Sequence, residues 1–211
     1  MNNEDAMKFF ENMSIKAKDN PQCVKMKSQD LSEYDADFIL KYANKDSQIL
    51  DLGTGTGLIV NRIYDKVKSI DCVELLEGLY RHITKADNIK ILPVSMFDFE
   101  TDNKYDLITI FGTMHYFNQN EAIEIYKKYI DMLKPSGKII IKNQFGVSED
   151  VVVSGFSQEQ QTNYYAQYRY INNEITTLEK IGYKNVQKFD IYPDSANRWE
   201  NTHFWAIVAG K

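Results

Sequence analysis

The stretch from Ile49 to Leu58 constrains this chain more than any other. It reads Ile49-Leu50-Asp51-Leu52, then Gly53-Thr54-Gly55-Thr56-Gly57, then the apolar-periodic Leu58-Ile59-Val60-Asn61-Arg62-Ile63. A short apolar run, a glycine-dense turn and a helically spaced apolar segment predict a buried strand, a tight reversal and a helix start. Glycine suits the reversal because it takes left-handed backbone and lets a ligand approach the main chain. The free N–H groups of the helix that follows favour a small anionic or carboxylate-bearing ligand. The dinucleotide pattern G-x-G-x-x-G fails here, because Leu58 stands where its third glycine belongs.

Downstream, strand and helix alternate. The pattern predicts strands over 48–53, 68–74, 89–93, 105–111 and 138–143, with helices over 57–66, 76–86 and 119–133. Pro135-Ser136-Gly137 reads as the turn before the fifth strand. Such alternation implies an α/β fold, a doubly wound and mostly parallel sheet with helices on both faces. The segment 144–159 reads as loop and 160–181 as a tyrosine-rich helix. Strands six (185–191) and seven (203–209) follow with no helix between them, so the last of seven strands should return antiparallel. Ahead of the core, residues 1–29 read as a short helix and a loop. A helix over 30–44 should bury Leu31, Tyr34, Phe38 and Tyr42, with Asp30 and Glu33 as a capping pair. The whole is expected to be one domain: a helical cap at 1–44, a binding core at 45–143 and an acceptor-side region at 144–211.

Composition excludes several classes. The formal net charge is −5 with no basic stripe, which argues against a nucleic-acid partner. No apolar run approaches the ~20 residues of a membrane span, and the polar N-terminus lacks a signal-peptide core, so a cytoplasmic location is expected. The two cysteines, Cys23 and Cys72, make no framework, and no metal-ligand spacing of Cys or His appears. A monomer or homodimer acting on a small molecule, away from membranes, is the expectation.

Asp51-x-Gly53-x-Gly55-x-Gly57 resembles the first motif of the class I S-adenosylmethionine (SAM)-dependent methyltransferases, whose fold is Rossmann-like. Glu74 ends the second strand, where the resemblance implies an acid for the ribose hydroxyls. Ser95-Met96-Phe97-Asp98 follows the third strand, where it implies an adenine site. Phe111-Gly112-Thr113-Met114-His115-Tyr116-Phe117 resembles the segment after the fourth strand, where backbone faces the methionine part of SAM. The resemblance thus implies SAM as cofactor, S-adenosylhomocysteine (SAH) as product, and a binding set of Asp51, Gly53, Thr54, Gly55, Gly57, Glu74, Leu75, Met96, Phe97, Asp98, Phe111 and Gly112. It covers residues 45–143 well and the rest only in layout. Gly112-Thr113 and Asn143-Gln144 offer no acid after strands four and five, unlike metal-dependent catechol-type enzymes, so no metal is expected.

Methyl transfer to oxygen or nitrogen of a small polar acceptor needs alignment and, for a hydroxyl, a base. His115 is the first candidate and His203 the second, because imidazole titrates near working pH. Tyr164, Tyr165, Tyr168 and Tyr170 are candidate walls of an acceptor pocket or cation–π partners of the sulfonium, Tyr116 is a further substrate contact, Tyr34 a candidate lid over SAM and acceptor, and Arg169 and Arg198 candidate anion holders. Two rivals remain at this point: a nicotinamide-dependent oxidoreductase and a non-catalytic SAM-binding module.

Overall fold

A computed structural model describes residues 3–24, 30–158, 162–197 and 199–211. The apolar runs form the middle of a seven-stranded sheet. Its strands are β1 (Gln48–Leu52), β2 (Ser69–Val73), β3 (Ile89–Leu92), β4 (Tyr105–Phe111), β5 (Leu133–Gly146), β8 (Lys184–Asp190) and β9 (Thr202–Gly210), separated in the chain by a hairpin of β6 (Val151–Ser157) and β7 (Thr162–Tyr168). The order across the sheet is β3-β2-β1-β4-β5-β9-β8. Pairings from β3 to β5 are parallel, and β9 runs antiparallel to both β5 and β8. The predicted architecture is therefore present, with the last strand inserted between β5 and β8.

Two apolar layers sandwich the sheet. Helices α5 (Gln119–Asp131) and α6 (Ile171–Ile181) cover one face through Ile125, Tyr126, Tyr129 and Leu178. Helix α2 (Ser32–Leu40) and the single turn α3 (Val60–Ile63) cover the other through Phe38, Ile39, Val60 and Ile63. Asn118 caps α5 in a capping box with Glu121, which satisfies N–H groups the helix itself leaves unpaired. Gly182 closes α6 at φ 118°, where any side chain would strain the backbone.

Several predicted elements differ. The helices predicted at 57–66 and 76–86 are single α-turns, α3 and α4 (Glu77–Tyr80). Asn61 explains the brevity: its side chain bonds the His82 carbonyl at 3.0 Å and the Thr84 N–H at 2.8 Å, cross-bracing the two short connections. Helix α2 turns a different face inward, burying Ser32, Asp35, Ala36, Phe38 and Ile39 and leaving Tyr34 49% exposed. Its N-cap is Leu31, and Asp30 accepts the Ser32 N–H from outside the helix in place of the capping pair. Pro135-Ser136-Gly137 lies inside β5 as a bulge, visible where the pairing with β4 jumps between Tyr105–Leu133 and Leu107–Lys138. The largest correction concerns 144–168. Here β5 runs on to Gly146 and the β6–β7 hairpin follows, where loop and helix were expected.

At the N-terminus, helix α1 (Asn3–Ala17) is longer than expected. Phe9, Met13 and Ala17 recur every fourth residue and are buried, so α1 lies down along one stripe. No helix among the described residues is long and apolar enough to cross a membrane.

Candidate active site

The carboxyl ends of β1, β2, β4 and β5 open into one cavity of about 360 Å³, within the usual range for small-molecule sites. Open parallel sheets place ligands at this end. The glycine turn forms its floor. Gly53, Gly55 and Gly57 all have left-handed φ, between 59° and 74°. Their surroundings differ. A Cβ on Gly53 would sit 2.8 Å from Thr113 Oγ1, and one on Gly57 2.8 Å from Ile83 Cγ1. Those two glycines let neighbouring elements pack close. A Cβ on Gly55 would meet nothing nearer than 4.0 Å, and one on Gly112 nothing within 4 Å. Both face the cavity, so they hold open a cradle that a side chain would fill.

Glu74 locks this floor. Its Oε2 accepts the Gly55 N–H at 2.9 Å and its Oε1 the Leu76 N–H at 3.1 Å. A carboxylate has about four acceptor positions, so two remain for a ligand's hydroxyls. Burial raises the Glu74 pKa above the usual carboxylate range. Asp51 is buried behind the turn, where its Oδ1 accepts the Thr109 hydroxyl at 2.5 Å. The same cavity is lined by Thr54, Leu75, Met96, Phe97 and Phe111. Of the expected cofactor set, Gly57 and Asp98 lie outside the lining; Gly57 instead packs on Ile83.

The acceptor-side expectations divide more sharply. His115 and Tyr116 line the cavity. His115 Nδ1 lies 3.2 Å from Asn143 Oδ1, an acceptor-only atom, so that nitrogen carries the hydrogen and Nε2 keeps its lone pair. Desolvation lowers the imidazole pKa to about 4, opposed by the Asn143 bond and assisted by the Arg169 and Lys142 charges. Tyr168 stands behind His115, with ring centroids 5.7 Å apart, and outside the lining. Tyr34 packs edge-on against Tyr192 from outside. Tyr165 points away on the hairpin, because its neighbours Tyr164 and Ala166 turn inward, as does Tyr168. His203 pairs with Asp190 at 2.7 Å at the β8–β9 edge and does not reach the cavity. Arg198 lies outside the described residues.

Arg169 is not a free anion holder. It is 2% exposed, and its Nε and Nη2 donate to the Glu174 carboxylate at 2.7 Å each. Its Nη1 donates to the carbonyls of Met114 and Phe117, at 2.9 and 2.8 Å. The guanidinium thus fastens the loop that carries His115 to α6.

Sequence reading missed two parts of the wall. The first is α1, which brings Met7, Phe9, Phe10 and Met13 over the cavity, with Phe9 tilted against Tyr116 and edge-on to Tyr164 and Phe10 edge-on to Tyr116. Helical spacing of these residues was the available signal. The second is a buried charged group of Asp35, Lys142 and Tyr192, for which no local signal exists.

Residues 49–137 match the protein family described as "Methyltransferase domain". The central part of this chain is thus a methyltransferase domain by its sequence, and the whole takes the methyltransferase fold. It is 32% identical over 103 residues to alpha N-terminal protein methyltransferase 1 of Dictyostelium discoideum, a match covering 44% of this chain and 38% of that protein. The chain therefore spans well under half of that curated relative. Among solved structures, the methyltransferase fold superposes on the DhpI–SAH complex with a TM-score of 0.68, covering 95% of this chain and 96% of that one at 13% identity. It superposes on the glycopeptide N-methyltransferase MtfA complexed with SAM with a TM-score of 0.64, covering 85% and 92% at 12% identity.

Proposed function

We propose that this methyltransferase binds SAM in the cavity described above and transfers its methyl group to an oxygen or nitrogen of a small polar acceptor, without a metal. The observation that carries the reading is the open cradle at Gly55 and Gly112 beside Glu74. The residues fit such a cofactor. Backbone at Gly53–Thr56 and Gly112 would flank the methionine part, the free positions of Glu74 would take the ribose hydroxyls, and Met96 and Phe97 would wall the adenine. Bound SAM supplies an electrophilic methyl group on a cationic sulfur. The chain's own residues supply alignment, worth roughly 7–11 kcal/mol when orientation is good, exclusion of water beneath α1, and a proton acceptor at His115 Nε2. Lacking a third glycine at position 58, the turn does not support nicotinamide binding. Titration with SAH and NADH side by side tests this, with SAH alone expected to bind.

Gly55→Ala gives a sharper check. The new methyl group would enter the open cradle without meeting another residue. SAH affinity is expected to fall at least tenfold while the fold is kept, as read by calorimetry and circular dichroism. Unchanged affinity in a folded variant would place the site elsewhere.

Metal independence is supported by the ligand chemistry. Among the described residues, no three of His, Cys, Asp and Glu gather where they could hold an ion. Turnover is expected to survive exhaustive dialysis against EDTA. Loss on chelation with recovery in magnesium would overturn this part.

The acceptor class is open to a wider range than a metabolite, since the named relatives are protein and glycopeptide methyltransferases. The enclosure of the cavity by α1 favours a small molecule or a narrow chain end. A cytoplasmic location, and a monomer or homodimer free of nucleic acid and membrane, complete the proposal.

A further inference from the structure

The surroundings of His115 are unusual for a candidate base, because they lack an acid. The ring packs on Tyr116, its neighbour in the chain, with centroids 4.2 Å apart, and on Tyr168 of β7 at 5.7 Å. From β5, Asn143 presents Oδ1 to the ring Nδ1 at 3.2 Å. The charges that reach the imidazole belong to Arg169 and Lys142, and both are positive. Each of those cations has a carboxylate of its own, Glu174 for Arg169 and Asp35 for Lys142. The polar group that holds the ring is therefore a neutral amide.

The sheet fixes where that amide sits. Asn143 pairs in register with Trp205 of β9 and is 2% exposed. Its Nδ2 is buried without a hydrogen-bond partner. An unmatched amide N–H in such a place costs free energy. Leucine has nearly the same shape and would avoid that cost, so packing alone does not explain asparagine here. What the amide adds is one uncharged acceptor beside Nδ1. Aspartate would supply the same acceptor with a charge. A carboxylate at that distance would draw a second proton onto the ring, because an opposite charge nearby favours the charged form.

We infer that Asn143 is the positioning residue of His115: its neutral amide keeps the ring hydrogen on Nδ1 and leaves the ring uncharged, so that Nε2 meets the cavity as a free lone pair. The inference rests on the proposed function for the use made of that lone pair. Charge supplies the reason for an amide. An imidazolium would face the cationic sulfur of the proposed cofactor, and like charges in one poorly solvated cavity repel. The amide sets the tautomer without inviting that second positive charge.

The test uses the full chain with Asn143→Leu and Asn143→Asp. Nitrogen-15 NMR of the His115 ring reads its tautomer and, through a pH titration, its pKa. Neither reading needs a ligand. Calorimetry with SAH and thermal melting report on the cofactor site and the fold.

The wild-type ring is expected to carry its hydrogen on Nδ1 and to stay uncharged down to about pH 5, since burial holds its pKa near 4. In Asn143→Leu the Nδ1–H loses its acceptor. The ring can relieve that by moving the hydrogen to Nε2, on the cavity side, so the tautomer should reverse. Asn143→Asp should restore the Nδ1–H tautomer and raise the ring pKa by roughly 1–3 pH units, the usual effect of a paired charge. SAH affinity should stay within about twofold in both variants, a difference well under the 1.4 kcal/mol of a tenfold change.

The inference fails if the wild-type ring carries its hydrogen on Nε2, or if the tautomer is unchanged in folded Asn143→Leu. An unmoved pKa in folded Asn143→Asp would overturn the part that concerns charge. Equal loss of SAH affinity and melting temperature in both variants, with the ring spectrum unchanged, would reduce Asn143 to a packing residue. If the aspartate variant does not fold, the wild-type and leucine spectra decide alone. A wild-type chain that does not bind SAH would overturn the proposed function and leave the tautomer measurement to judge this inference by itself.

Discussion

Replacing His115 with alanine is expected to lower kcat by roughly 10²–10⁴-fold, the usual worth of a positioned general base. SAH affinity should change little, because the cofactor contacts proposed here are the glycine turn, Glu74 and backbone. The pH profile separates this role from a packing role. Burial holds the imidazole pKa down to about 4, well below its ordinary value near 6.5. The acidic limb of kcat/KM should therefore fall near pH 4, and not near 6.5 as an exposed histidine would give. Stability carries the same signature with a definite sign. Between about pH 6.5 and 4 the unfolded chain takes up a proton that the folded chain refuses, so His115 contributes stability above pH 6.5 that is lost on descending to pH 4. Near-normal kcat in the alanine variant would show that alignment alone suffices. Joint loss of stability and SAH binding would show that His115 only supports the wall.

Arg169→Met is expected to destabilise the fold by roughly 3–5 kcal/mol, the cost of leaving one partner of a buried pair alone. Glu174 is fully buried and receives Arg169 through both oxygens, together with the Tyr126 hydroxyl. Methionine would strand that carboxylate and also release the Met114 and Phe117 carbonyls. For a chain of this size the melting temperature should fall by roughly 10 °C. Adding Glu174→Gln should recover part of the loss, because the orphaned charge is then gone. An arginine used only to hold an anionic ligand would behave differently, weakening that ligand and leaving the melting temperature almost unchanged.

What could be read from the residues follows the range of the forces involved. Strands β1, β2 and β4 announce themselves because Ile49–Leu52, Ser69–Val73 and Tyr105–Phe111 are locally apolar. The glycine turn was legible from its own spacing, and Glu74 was picked out by the family resemblance and by no local pattern. Tyr164 and Tyr168 were ambiguous: four residues apart, they satisfy both a helix and a strand that turns alternate residues inward. Packing decided for the strand, since Tyr164, Ala166 and Tyr168 face Phe9 and Tyr116 from the hairpin. Arg169 looked available because its partners include Met114 and Phe117, more than fifty residues away. Asp35 and Lys142 lie further apart still, and each alone is an ordinary charged residue. Only the closed sheet brings them together.

Helix α1 has a consequence for how occupancy is sensed at a distance. Its last residue is tied down where the His82 ring nitrogen meets the Ala17 carbonyl at 2.6 Å, and the segment after it where Thr56 Oγ1 donates to the Pro21 carbonyl at 2.9 Å. It also supplies the roof, through Phe9, Phe10 and Met13. A ligand that touches this roof would couple its own binding to any undocking of α1. Whatever factor a ligand adds to the docked population of α1, docking must return to the ligand's affinity. Helix α1 would in this sense be a reporter: its protection from hydrogen exchange would rise with the free energy of a molecule it hides.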